Sequence, residues 1–399
     1  MATTRIYYDG STTREFDATV TRSEARGEHT AVWLDRTAFY PTSGGQPHDL
    51  GTLAGLPLID VLDDEDGDIV HLVSGSGPEP GTPVHGVVDW PRRFDHMQQH
   101  TGQHLLSAVI EHAFGARTVS FHLGTDASTI DIDRELTPAQ IERAEVLAND
   151  AVWADCPVTV RYATDDEARA LPLRKEPVRT GTLRIVEIEG HDLSACGGTH
   201  VARTGAIGQV SIASWERFKG GQRLEFLCGR RTLTRFQVLR DTTAATIRLL
   251  SVLPSELPAA VERLQADLKE QRRTIMAAQL ELAKYEATAL AAESAASPIG
   301  RVVLQAIDGD AVRLKALASA VATTPGVLAV LVSTSTPVLA VAARAADLAV
   351  PCQELIGSLA KAFSGRGGGK PDLAQCGGLQ ASSEQVLAAA REWLSTRVP

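Results

Sequence analysis

The chain has 399 residues, enough for two to four domains, and 44% hydrophobic against 22% charged residues mark it as folded rather than disordered. Its formal net charge of -10 excludes a generally basic nucleic-acid coat, so any nucleic acid must be met by local clusters of Arg and Lys. The five cysteines (Cys156, Cys196, Cys228, Cys352, Cys376) show no disulfide spacing, the N-terminus shows no signal-peptide core, and no apolar run reaches about 18 residues. The expectation is a cytoplasmic protein with free thiols and no membrane span.

Residues 1–90 read as β-rich. Short alternating segments such as Thr30-Ala-Val-Trp-Leu-Asp and Val84-His-Gly-Val-Val-Asp-Trp are split by Gly, Pro and Asp turns, which predicts a small barrel or sandwich. Between them, Phe39-Tyr-Pro-Thr-Ser-Gly-Gly-Gln-Pro-His-Asp-Leu-Gly51 is a glycine-rich loop able to bring backbone amides close to a ligand. Residues 91–240 then read as an α+β core. A helix is expected over 95–114, capped by Asp95 and ended by Gly115, and another from Thr137 and Pro138 to Trp153. Strands are expected near 157–162, 182–189 and 207–213.

Residues 241–298 read as a helical, coiled-coil-like connector. Within 257–285, Val261, Leu264, Leu268, Ile275, Leu282 and Tyr285 follow a 3–4 spacing with Gln271 and Ala278 between them. That stripe suits a homodimer zipper and equally an intramolecular hairpin. Residues 299–399 read as a small α/β domain, with buried strands at Val302-Val-Leu and Val327-Leu-Ala-Val-Leu-Val and helices over 309–322 and 381–396. Between them runs Ser364-Gly-Arg-Gly-Gly-Gly-Lys-Pro-Asp-Leu-Ala-Gln-Cys-Gly-Gly378.

Two runs carry metal chemistry: His-Met-Gln-Gln-His-Thr-Gly-Gln-His at 96–104 and Cys-Gly-Gly-Thr-His at 196–200. Residues four apart on a helix share a face, so His100 and His104 can grip one ion. His96 is one further step along that face, and spacing does not choose among the three. The two glycines after Cys196 let a thiolate and the His200 imidazole curl toward one point. Four donors of these types predict one zinc ion per chain. Asp192, four residues before Cys196, can orient a ligand or help a zinc-associated water, the candidate nucleophile. No His-Glu-x-x-His is present, which disfavours a peptidase of that type.

His100-Thr-Gly-Gln-His-Leu-Leu106, Arg184-Ile-Val-Glu-Ile-Glu-Gly-His-Asp-Leu-Ser-Ala-Cys-Gly-Gly-Thr-His-Val201 and Phe39-Tyr-Pro-Thr-Ser-Gly-Gly-Gln46 resemble the editing domain of alanyl-tRNA synthetase. They look closest to its free-standing relatives, the AlaX editing proteins, in their long form. Gly367-Gly-Gly-Lys-Pro-Asp-Leu-Ala-Gln375 resembles the C-terminal domain that these synthetases share with the DHH phosphoesterases. No Asp-His-His string is present, and Asp95-His-Met, the nearest, lacks the second histidine.

The resemblance implies a β-barrel, a zinc-bearing editing core, a helical connector and a tRNA-binding C-terminal domain. It places Leu-Leu directly after the second helical ligand, which selects His100 and His104 over His96 and pairs them with Cys196 and His200. It implies hydrolysis of the ester joining serine, and often glycine, to alanine tRNA. A pocket for alanine rejects serine poorly, because serine only adds a hydroxyl, whereas an editing site can be built to bond that hydroxyl. The candidate substrate contacts are Thr42, Ser43, Gly44, Gly45 and Gln46 in the loop, and Ser120 and His122 in Val119-Ser-Phe-His122. Candidate tRNA contacts are Arg217, Lys219 and Arg223, with Arg230 and Arg231 close behind, and Lys370 in the glycine run.

Overall fold

A computed structural model describes residues 3–64, 67–175, 181–297 and 299–396. The chain divides into two compact units, Met1–Thr246 and Ile247–Pro399.

In the first unit, the strict alternation of the first long strand sets the architecture. Along Glu15–Arg26, Phe16, Ala18 and Val20 are buried while Glu15, Asp17 and Thr19 face out. Six strands close into a barrel in the order Glu15–Arg26, His29–Leu34, Ile69–Ser74, Leu56–Asp63, Gly51–Leu53 and Pro83–Val88. Closure leaves no free edge. Its interior is filled by Val20, Val32, Leu34, Phe39, Leu53, Val61, Ile69 and Val73.

The helix that follows spans Trp90–Phe114 and starts earlier than the sequence suggests. Asp89, not Asp95, caps it: its carboxylate accepts the Arg92 N–H at 3.3 Å, with Pro91 in the first turn. Asp95 lies inside the helix and takes the Arg231 guanidinium instead, with Nη2 to Oδ2 at 2.6 Å. Gly115 does end it, donating its N–H to Glu111 at 2.8 Å. Leu105 and Leu106 are fully buried against Leu123, Ile130, Leu224 and Phe226. Burial of each contributes about 1.5–3 kcal/mol, so the helix cannot rotate and the face bearing His100 and His104 is fixed.

The second expected helix is Pro138–Trp153, opened by a capping box between Thr137 and Gln140. The expected strands are Val158–Ala163, Leu183–Ile188 and Val210–Phe218. The last begins after position 207 because Thr204–Ile207 forms a 3-10 turn. Val210–Phe218 joins a four-stranded sheet with Gly221–Cys228, Ser128–Ile132 and Thr118–Leu123, in that order. Val158–Ala163, Leu183–Ile188 and Asp192–Ala195 form a three-stranded sheet.

In the second unit, the striped segment lies within one helix, Leu257–Ala292. Leu264, Leu268, Ile275 and Leu282 are each at least half exposed on it. A six-stranded sheet follows. Gly300–Ile307 and Val327–Ser333 run parallel, joined through the Ala311–Val321 helix. Every residue of Val327–Ser333 is buried, because helices cover both faces of the sheet. The glycine run forms an edge hairpin, Arg366–Gly369 against Leu373–Leu379, with Lys370 exposed at its turn. No single helix among the described residues is long and apolar enough to cross a membrane.

Candidate metal centre

His100, His104, Cys196 and His200 come together, each offering a donor atom within 4.8 Å of the others. All three histidines are at least 95% buried. His96 is outside the group; it is buried one turn earlier, and burial pushes its pKa down to about 3.

The tautomers follow from the neighbours. Gln46 Oε1 lies 2.8 Å from His100 Nδ1 and also receives the Thr199 backbone N–H at 3.2 Å. A backbone N–H can only donate, so the atom facing His100 is the amide oxygen and Nδ1 carries the proton. The Thr101 hydroxyl gives its proton to the Met97 carbonyl at 2.8 Å, so it accepts from His200 Nδ1 at 3.2 Å. Asp192 accepts from His104 Nδ1 at 2.7 Å. Each Nδ1 is thus committed to an outer partner, which leaves each Nε2 as the metal-facing donor.

The spacing suits zinc. Sγ of Cys196 is 3.4 Å from His100 Nε2 and 3.3 Å from His200 Nε2. Tetrahedral zinc with ordinary bond lengths puts sulfur and nitrogen ligands about 3.5 Å apart. Two His Nε2 atoms at that edge length, one thiolate and a third buried imidazole form a donor set that fits the ion.

Electrostatics agree with a cation site. Burial would raise the Cys196 thiol, but the charges of His100, His200 and His104 outweigh it and hold the thiol well below its usual range. Burial would likewise raise Asp192; the bond and charge of His104, then Arg174, hold it below the usual carboxylate range. Burial opposes protonation of His104, yet the Cys196 charge and the Asp192 bond lift it to about 9, while burial takes His200 down to about 3. Four crowded donors share protons unevenly, and a divalent cation relieves that competition.

Several side chains that brace this arrangement are not marked out by donor type or spacing in the sequence. Arg184, buried and twelve residues before Cys196, donates Nη1 to the carbonyls of Cys196 at 2.6 Å and Gly198 at 3.0 Å, and Nε to that of Tyr8 at 2.9 Å. It clamps the turn from inside. Arg174 binds the second oxygen of Asp192 at 2.5 Å, and Ser194 donates to both oxygens. Asp192 is thus engaged on both oxygens, which fits holding His104 in place. Asp49 and Arg93, both fully buried, pair beneath the glycine-rich loop, and Asp49 also accepts the Tyr40 N–H at 2.6 Å.

The other candidate residues divide by what they touch. Thr42 is exposed and pairs its hydroxyl with His48 Nδ1 at 3.0 Å. Ser43 is half-buried, and its carbonyl accepts the Tyr40 hydroxyl at 3.0 Å. Gly44 and Gly45 are exposed, and Gly45 lies so close to the neighbouring strand that a Cβ would stand 2.8 Å from the Phe121 ring. That ring is in turn 6.2 Å from His100, centroid to centroid. Gln46 is wholly buried. Ser120 donates to Asp131 at 2.5 Å, and Arg223 grips the same carboxylate at 2.6 and 2.9 Å. His122 stands exposed opposite Thr129 on the outer side of the sheet. Arg217 pairs with Glu135 at 2.9 Å, and Lys219, at the turn between strands, lies 5.0 Å from the centre of the Phe218 ring.

Residues 183–225 match the family described as threonyl and alanyl tRNA synthetase second additional domain, and residues 300–396 match the DHHA1 domain. Alanyl-tRNA editing protein AlaX-L of Pyrococcus horikoshii is 34% identical over 274 residues, 66% of this chain and 67% of that protein. Alanyl-tRNA editing protein Aarsd1 of Danio rerio is 36% identical over 61% of this chain and 60% of its own length. Alanine–tRNA ligase of Methanoregula boonei is 32% identical over 97% of this chain, which spans only 44% of the ligase. The donor cluster and these relationships together place the chain in the AlaX family of alanyl-tRNA editing proteins, related to the editing and C-terminal regions of alanyl-tRNA synthetase.

Proposed function

We propose that this protein is a zinc-dependent aminoacyl-tRNA hydrolase, a carboxylic ester hydrolase that removes serine, and also glycine, from alanine tRNA charged with the wrong amino acid. The observation that carries this reading is the convergence of three imidazole Nε2 atoms and one thiolate beside an exposed glycine-rich loop. The names of the relatives supply the substrate class.

His100, His104, Cys196 and His200 would hold one zinc per chain. Bound there, zinc supplies a Lewis acid that orients the ester or lowers the pKa of a water. Around it, Asp192 keeps His104 aimed, with Arg174 holding the carboxylate ionised. Thr42 and Ser43 offer the serine hydroxyl its partners, and Gly44 and Gly45 let the substrate approach the backbone. On the neighbouring strand it is Phe121 that faces the loop and His100, so Ser120 and His122, on the strand's other face, have no part in this reading of the substrate site. Once the bound aminoacyl end covers the hydroxyl-reading groups, alanine would leave them unpaired, at about 1–3 kcal/mol each. Arg217, Lys219, Arg223 and Lys370 supply the tRNA backbone contacts, and a homodimer forms through residues 257–285 and the C-terminal domain.

The test offers the protein serine-charged and alanine-charged alanine tRNA. Loss of serine with alanine retained supports editing. Cys196→Ala should abolish that loss and lower zinc content, whereas full activity without zinc contradicts the metal assignment. Four protein donors complete a tetrahedron, which favours a second reading, a tRNA-binding protein with structural zinc. Zinc-loaded protein that cleaves neither ester supports that reading and sinks the hydrolase.

A chain lacking residues 300–399 should bind tRNA more weakly in filter binding, with the deficit widest at low salt, where phosphate contacts count most. Unchanged affinity would remove the C-terminal domain from tRNA recognition. Sedimentation of the full chain reads the dimer directly.

A further inference from the structure

Gln46 sits in the glycine-rich loop, yet its side chain is turned away from solvent and wholly buried. Its Oε1 accepts from His100 Nδ1 at 2.8 Å and from the Thr199 N–H at 3.2 Å, and its Nε2 donates to Thr199 Oγ1 at 2.8 Å. It therefore touches both donor-bearing segments: the helix through His100, and the Cys196–His200 turn through Thr199. Its own backbone pairs with Ser43 in both directions, N–H to carbonyl, at 2.9 and 3.2 Å. One step away, the Gly45 carbonyl accepts the Leu123 N–H at 3.3 Å.

We propose that Gln46 is a positioning residue of the metal centre, not a substrate contact, and that it makes metal occupancy and the order of the Thr42–Gln46 loop a single event. The chemistry is that of an outer ligand partner. Fixing the proton on His100 Nδ1 presents Nε2 to the metal in one orientation and raises its basicity. A bound cation tightens that bond, since it draws electron density from the ring and makes Nδ1–H a better donor. The tightened bond holds Gln46, and through the Ser43 pairing it holds the hydroxyls proposed to read serine. The inference rests on the zinc reading above.

The test uses the full chain without tRNA. Zinc affinity is measured by chelator competition, and amide hydrogen exchange over residues 40–46 is followed with and without zinc. In Gln46→Met, of similar length but without either polar group, affinity should fall about 10–100-fold. Zinc should then no longer protect the loop amides. Gln46→Glu should rescue both, because a carboxylate still accepts from His100 and the Thr199 hydroxyl can rotate to donate to it. Thr199→Val, which removes one arm only, should fall between. Circular dichroism confirms that each variant is folded. A folded Gln46→Met protein with wild-type zinc affinity, or with loop protection that still responds fully to zinc, overturns the inference while leaving the zinc centre intact. Wild-type protein that takes up no zinc overturns both.

Discussion

A Gly198→Ala protein is expected to lose metal and editing together. A Cβ at this position would stand 2.1 Å from His100 Cε1, 2.3 Å from its Nδ1 and 3.1 Å from Gln46 Oε1. The ring has nowhere to retreat: it is buried, held by Gln46 and backed by Phe121. Either His100 leaves the cluster or the turn bearing Cys196 and His200 moves away from it. Zinc affinity should fall by about 100-fold or more, the upper end of what a disturbed outer partner costs, because here a ligand itself is displaced. Metal analysis after gel filtration and chelator competition read the loss. Gly197→Ala is the control, since its Cβ would meet nothing nearer than the Tyr8 hydroxyl at 3.7 Å. A Gly198→Ala protein with full zinc content and activity would show that His100 is not where the metal assignment needs it.

Asp49→Ala should be the most destabilising single change in the first unit. Asp49 and Arg93 are both fully buried, and their pairing ties the base of the glycine-rich loop to the first turn of the long helix. Removing the carboxylate leaves a guanidinium without its counter-charge in the interior, at a cost of about 3–5 kcal/mol. Thermal unfolding should shift down by roughly 6–20 °C, at about 2–4 °C per kcal/mol for a unit of this size. The double variant Asp49→Leu with Arg93→Met should recover only part of that loss: it removes the uncompensated charge, but leaves the Tyr40 N–H and the Ala38 carbonyl without their partners. A melting temperature for Asp49→Ala within a degree or two of wild type would mean the pair is not buried in solution. Recovery in the double variant without recovery of editing would separate the stability of the loop base from its aim.

Much of this architecture was legible in residue order. The alternating segments Thr30-Ala-Val-Trp-Leu-Asp and Val84-His-Gly-Val-Val-Asp-Trp announced a small barrel or sandwich, and Thr137-Pro138 announced the start of its helix, because both signals are local. The error at Asp95 is equally instructive. Asp89 and Asp95 are both plausible caps by residue type, and Arg231, which claims Asp95, lies 136 positions away. Sequence periodicity carries no record of such a partner. The same limit governed the site. The spacing of His96, His100 and His104 allowed any two to act; the family resemblance chose His100 and His104, and the fold places His96 outside the cluster.

By itself, the sequence determined which chemistry was available: three imidazoles on one helical face, a thiolate and an imidazole on a glycine turn, and a glycine-rich loop. Helix and strand periods are properties of neighbouring residues, so donor type and local face can be read from the chain alone. Tertiary structure decided how those donors are used. His100 meets Cys196 across 96 positions and Gln46 across 54. Those long-range hydrogen bonds fix the tautomers, commit Gln46 to the metal side of the loop, and bring Arg184 beneath the turn. They exist only once the barrel and the core pack together, because a buried polar group takes whichever partner the closed interior leaves within reach.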